Sequence, residues 1–159
     1  MIRKKKFYSV APKSCRKNGV GIAFSPENTD TCYGCEVEDV IGLENVVFEL
    51  RDGIYTPYLW TDVRVQLINK DFKNCIEQYL PKDYPLEFLP IHVTSKEYGD
   101  KLYFFPHFKI IFDVIDVEHS KIIPETGSIT VPCIDYEKAK DLDFFNSSAY
   151  MDTFIVSDK

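Results

Sequence analysis

Asp113, Asp116, Glu118 and His119 fall within seven positions, in the stretch Asp113-Val-Ile-Asp-Val-Glu-His-Ser120. Paired carboxylates beside an imidazole have the chemistry to bind a divalent cation, or to divide general acid and general base work in a hydrolysis. Strand alternation weakens that reading. Asp113 and Asp116 are three apart, so on a straight strand they point to opposite faces, while Asp116 and Glu118 share a face with His119 opposite. A carboxylate at Asp116 also suits an Asx-type turn, where it accepts backbone N–H bonds a few residues on. The expectation is therefore a cap or turn role for Asp116 and Ser120, with a metal-dependent hydrolase built on Asp113, Asp116, Glu118 and His119 as the alternative.

Cys32-Tyr-Gly-Cys35 is the second group with chemistry. Its two-residue spacing lets both thiolates reach one zinc ion, but a structural zinc takes four ligands. Cys15 is a possible third, and His92, His107 and His119 lie far downstream among predicted strands. A small zinc-bearing adaptor using Cys15, Cys32 and Cys35 stays open; the simpler expectation is two ordinary thiols in a turn around Gly34. No strand–helix–strand pattern surrounds the pair, which argues against a thioredoxin-like redox site. The sequence holds no GxSxG, HExxH, P-loop or GxGxxG motif. The expectation is a protein with no cofactor, no bound metal and no catalytic residue.

The elements that must position these groups read mainly as strands. Lys6 to Val10 is a short first strand, and residues 11 to 39 are loop-rich. Val46 to Leu50 is a strand with Arg51-Asp-Gly53 as its turn, and Ile54 to Trp60 is extended, with Pro57 marking an edge. The clearest helix runs from about Lys70 to Leu80: Phe72, Cys75, Ile76, Tyr79 and Leu80 share one helical face, Asn69 is a plausible cap, and Pro81 stops it. Leu86 to Val93 is a strand. Leu102 to Val117 is a strand or bent pair interrupted at Pro106. Ser128 to Asp135 and Thr153 to Val156 are further strands, and Lys138 to Phe145 is a helical turn or loop. Many strands and one amphipathic helix predict a single α+β domain over residues 1–159, with a mainly antiparallel sheet: a basic, loop-rich part to about residue 40, then a sheet-and-helix core from 45.

Composition and charge narrow the function. With 159 residues, 45% apolar and 28% charged, the chain suits one soluble globular domain. No apolar run reaches eighteen residues, so no membrane span is expected. The basic start Met-Ile-Arg-Lys-Lys-Lys6 is followed by a polar stretch rather than an apolar one, so export is not expected, and five cysteines then read as reduced thiols in a cytoplasm. Residues 1 to 20 carry seven Lys or Arg and no acid; the remaining 139 carry twelve basic and twenty-five acidic residues, a balance of −13. An acidic body repels phosphate backbones, which argues against nucleic acid as a partner, and it suits a basic protein, because opposite fields steer encounter. Aromatics make up 14% of the chain. Tyr58, Trp60, Tyr98 and Tyr103 flank predicted loops and are the expected anchors for a protein partner, with Glu97, Asp100 and Glu118 as its charged contacts.

Several short segments together resemble a known group of bacterial proteins. These are the helix at Phe72 to Leu80, Phe88-Leu-Pro-Ile91, Tyr103-Phe-Phe, Val114-Ile-Asp116 with Ser120, and Phe154-Ile-Val-Ser-Asp-Lys159. Over roughly residues 60 to 159 the chain is similar to the immunity proteins of polymorphic toxin systems, in particular the immunity protein 43 group and its uncharacterised-domain relatives. The resemblance implies a non-enzymatic protein that binds and neutralises one cognate toxin domain. On that reading the motif residues determine the fold, and none is catalytic.

Overall fold

The structure, a computed structural model, describes residues 4–10, 22–24, 46–62, 65–148 and 154–158. In chain order its elements are β1 (Phe7–Ser9), β2 (Ile22–Phe24), β3 (Val47–Asp52), β4 (Tyr58–Thr61), β5 (Leu67–Ile68), α1 (Lys70–Glu77), β6 (Leu86–Thr94), β7 (Lys101–Phe108), β8 (Ile115–Ile122), β9 (Ile129–Ile134), α2 (Tyr136–Ala139), β10 (Phe144–Phe145) and β11 (Ile155–Ser157). Strands dominate. They fall into two compact units, one made of Ala11–Ile110 and the other of Met1–Val10 with Ile111–Lys159.

The first unit is a closed barrel in the order β2-β3-β6-β7-β5-β4, with β4 returning to β2. Its β2–β4 and β3–β6 seams are parallel and the other four antiparallel. Alternation along the strands fills the interior: Ile91, Val93, Tyr103 and Phe105 point inward from β6 and β7 and meet Phe48, Leu59 and Leu67 in one buried cluster. Asn69 caps α1, its side chain accepting from the backbone N–H of Phe72 at 2.9 Å. The helix ends at Glu77, well short of Leu80, and Ile76 is its buried residue, whereas Cys75 and Tyr79 are exposed.

Pro106 does not interrupt its strand. It lies inside β7, buried, opposite Phe88. The N–H of Lys109 reaches back toward β6, to the carbonyl of Pro85, so odd-numbered positions of β7 face β6 and even-numbered ones face β5. β5 meets β7 only at Ile68↔Phe104, so the N–H that Pro106 lacks falls beyond the end of β5 and costs no ladder bond. The break comes instead at residues 109–114. Two further expectations shift. Ile22–Phe24, within the segment read as loop, is a strand, and Arg51 and Asp52 continue β3, the turn falling to Gly53 at φ 72°.

The second unit joins the two ends of the sequence. β1 pairs with β11, which pairs with β10, both antiparallel. Phe7 and Phe112 pack edge-on against Phe145, with ring centroids 5.6 and 6.1 Å apart, over a core containing Val114, Ala139 and Ile155. Lys5 bridges Asp143 at 2.9 Å, with both side chains mostly covered, and Ser157 donates from Oγ to the same carboxylate oxygen at 2.7 Å. Lys4 lies 5.1 Å from the centroid of the Tyr136 ring. Two lysines of the basic first segment thus have partners within their own unit. β8 and β9 form a separate two-stranded ribbon.

Two substitutions test this account. Phe48→Ala leaves a hole in the middle of the barrel and is expected to cost about 3–5 kcal/mol in denaturant unfolding. Gly99 has φ 72° with open space around it, so Gly99→Ala is expected to cost about 1 kcal/mol from backbone strain alone; an unchanged midpoint would contradict the turn geometry.

Candidate functional site

The turn between β6 and β7 builds an aromatic rim on the barrel. Ser95 organises it: its carbonyl accepts from Gly99 N at 3.0 Å and its hydroxyl oxygen accepts from Tyr98 N at 3.2 Å. Tyr55, just before β4, ties the turn to the barrel wall, its hydroxyl lying 2.8 Å from the carbonyl oxygens of both Val93 and Gly99. The Tyr55 ring stacks on Tyr103 at 5.8 Å and meets Tyr98 edge-on at 6.4 Å, and the Lys101 ammonium sits 4.6 Å from its centroid. Tyr103 donates its hydroxyl proton to the carbonyl of Thr56 at 2.7 Å. All three phenols are held protonated. Burial, then the Asp100 charge, raises Tyr55; burial, then Tyr55, raises Tyr103 well above its ordinary value; and the hydrogen bond to Glu97 raises Tyr98.

Beside the rim, Tyr55, Thr56, Lys70, Asp71, Lys101 and Leu102 border an open cleft of about 310 Å³. Leu102 also belongs to a row on the outer wall: Val47 is register partner to His92, and His92 to Leu102. Val47 and Leu102 expose nearly half their surface. The turn itself is close to neutral, with Lys96 and Lys101 against Glu97 and Asp100.

The expected anchors divide. Trp60 and Tyr98 are exposed, at 51% and 43%. Tyr58 and Tyr103 are buried, at 5% and 2%, and cannot offer a ring face to a partner. For Tyr103 the reason is strand parity: it points into the barrel, and its neighbour Leu102 points out. Glu97 and Asp100 stand exposed in the turn beside Tyr98. Glu118 belongs to the other unit. Sequence reasoning missed Tyr55 and Leu102. The alternation in Leu102-Tyr-Phe-Phe105, set by a buried Phe105, was the available signal for Leu102.

The carboxylate–histidine cluster forms a turn. β8 bulges between Asp116, opposite Cys133, and Lys121, opposite Val131. That bulge overrides the straight-strand alternation and brings His119 to the same side as Asp116: Oδ1 of Asp116 accepts from His119 N at 3.1 Å, and Oδ2 lies 2.7 Å from His119 Nδ1. Ser120 donates to the carbonyl of Asp116, and its own hydroxyl oxygen accepts from Cys133 N at 2.9 Å. Asp113 is turned away, paired with Lys138 at 2.8 Å and 88% exposed. Among the described residues no three His, Cys, Asp or Glu side chains converge on a point that could hold a metal ion. Cys15, Cys32 and Cys35 lie outside the described residues.

No protein-family model matches the chain, and no curated protein matches it.

The bonds from His119, first its backbone N–H and then its ring, hold the Asp116 carboxyl below the ordinary aspartate value. A carboxylate with a depressed native pKa stabilises fully above its unfolded pKa, and that stabilisation is lost as pH falls through the native value. Asp116→Ala is therefore expected to melt below wild type at neutral pH, with the gap closing in acid beneath the normal aspartate range. Parallel melting curves at every pH would remove the turn role.

Proposed function

We propose that the protein is a non-enzymatic immunity protein of the cytoplasm, which binds and neutralises a cognate bacterial toxin domain. The observation that carries this reading is Tyr98. It is 43% exposed, yet its ring is already braced edge-on against Tyr55. An aromatic fixed before binding loses little freedom on association, and aromatics of this kind supply most of the binding energy at protein interfaces. Leu102 and the cleft next to it give such an anchor an apolar surround. The resemblance of short segments to the immunity protein 43 group, and the acidic balance of residues 21–159, support the same reading.

On this proposal the whole chain acts as one α+β binding domain, with the amphipathic helix α1 as its helical element. The partner covers Tyr98, Glu97, Asp100 and Trp60, with about 800 Å² buried per side. Neutralisation follows from occupying the toxin's active surface or fixing its conformation. Within the described residues no helix is long and apolar enough to cross a membrane, which fits a protein that meets its target in solution.

The test is co-expression with the toxin domain encoded by the adjacent gene. Cells are expected to survive with the wild-type protein and to lose protection with Tyr98→Ala, whose complex should dissociate on the order of tenfold to a hundredfold faster at a similar on-rate. Glu97→Gln with Asp100→Asn should mainly lower the on-rate and its salt dependence. Death of cells that contain soluble wild-type protein would refute the immunity reading.

A further inference from the structure

An apolar face on the outer wall of β3, β6 and β7 is turned to solvent, with a histidine at its centre. Phe48, Ile91, Val93 and Tyr103 point into the barrel, so by alternation Val47, Pro90, His92 and Leu102 point out. Register sets them side by side. Val47 is opposite His92 across the β3–β6 seam, His92 is opposite Leu102 across the β6–β7 seam, and Pro90, one outward position before His92, is opposite Phe104. The Cβ atoms of side chains so paired lie about 5 Å apart. Val47 and Leu102 are 48% and 45% exposed, and Pro90 and His92 are exposed as well.

The charges around this face are largely answered by charges of the other sign. On β6, Pro90 and Thr94 flank His92 on its own side of the sheet. On β3 the diagonal neighbour Glu49 is bonded to Arg51 at 2.9 Å. α1 lies against β7 and brings Lys73 over the Phe104 ring, with that ammonium paired to Glu77 at 2.6 Å. Lys70 and Asp71, at the start of α1, border the cleft beside Leu102. In the β6–β7 turn the charge of Asp100 acts on Tyr55, and Lys101 next to it carries the opposite sign against the same ring. The register partners of His92 are both aliphatic, and neither can answer a charge on its ring.

A contiguous apolar patch with its neighbouring charges balanced suits an uncharged, apolar partner surface. The patch runs through Leu102 into the cleft and toward the turn that carries Tyr98, so a partner seated on Tyr98 and Leu102 also reaches His92. A neutral imidazole can be covered there. A charged one would lose its water between two aliphatic side chains, which is costly.

We infer that this outer wall is the apolar part of the partner interface, and that the partner lays an uncharged apolar surface over Val47, His92 and Leu102 while His92 is neutral. The inference rests on the reading of the chain as a protein that binds a toxin domain, and adds the chemistry of the contact and its dependence on pH. When the complex forms on the charged state, one ring proton of His92 passes to solvent and no other bond changes. Partner and proton therefore compete. Affinity is full where the histidine of the free protein is neutral, and falls by up to about tenfold per pH unit below that range.

The test is calorimetric titration of the full chain with the toxin domain encoded by the adjacent gene, at about pH 7.5 and about pH 5.5. Wild-type affinity is expected to fall on the order of tenfold between the two. His92→Gln should remove that part of the pH dependence. Groups that titrate on the toxin are common to both titrations, so the difference between wild type and His92→Gln belongs to His92. Val47→Lys should weaken binding about tenfold at both pH values. Both positions are exposed, so both variants should melt close to wild type. The same pH dependence in wild type and His92→Gln, or full affinity in a folded Val47→Lys, would overturn the inference and leave the immunity reading standing. No complex at either pH would remove that reading and the inference with it.

Discussion

The pairing of β6 with β7 is the constraint on which the barrel depends. It runs without a slip from Leu86↔Phe108 to Val93↔Lys101. A strand's side chains alternate, so this single register decides which residues of both strands face the interior. β3 then joins the far side of β6, β5 the far side of β7, and β2 and β4 close the ring over short stretches. Those closing pairings are too brief to fix a register alone. They hold because the inward face set by β6 and β7 gives Phe48, Leu59 and Leu67 a place to be buried. The rim follows from the same register: the turn that ends the pairing carries Tyr98, and the first outward position of β7 after it is Leu102.

How much was legible in the sequence follows the range of the forces involved. α1 was readable at its start because a cap is local: Asn69 and Asp71 act within one turn. Its end was overestimated because the apolar face of Tyr79 and Leu80 continued past the last helical bond. β6 was readable from a dense run of apolar residues. β2 and β5 were not, since strands of three and two residues exist only where distant partners complete them. Pro106 misled because its effect depends on how long β5 is, a fact with no trace near residue 106. The Asp116 turn was legible as chemistry, in the spacing to Ser120. The bulge that makes it possible reflects a mismatch with β9, which one strand's sequence does not carry.

Part of the charge in this chain is spent on architecture. Lys5 and Asp143 hold two distant segments together, with Ser157 sharing the carboxylate, and the Lys73 ammonium pairs with Glu77 while lying about 5 Å from the rings of Phe88 and Phe104. Pairs of this kind at least partly shielded from water resist screening better than exposed ones. Among the described residues Glu97, Asp100, Glu118 and Glu125 are exposed carboxylates with no ion pair, and Lys96 and Lys121 are exposed cations with none.

The joining of β1 to β11 has a consequence during synthesis. Ile155 is made long after its partner, Ser9, with the whole barrel sequence between them. At roughly 5–20 residues per second the first strand waits on the order of ten seconds for its mate. The last barrel strand, β7, is complete before that interval ends, whereas β1 still lacks β11. An unpaired strand is an invitation to bind the wrong neighbour, and flanking lysines discourage it. Lys4, Lys5 and Lys6 lie directly before β1, so the lysines that end up against Tyr136 and Asp143 also flank the strand while it waits.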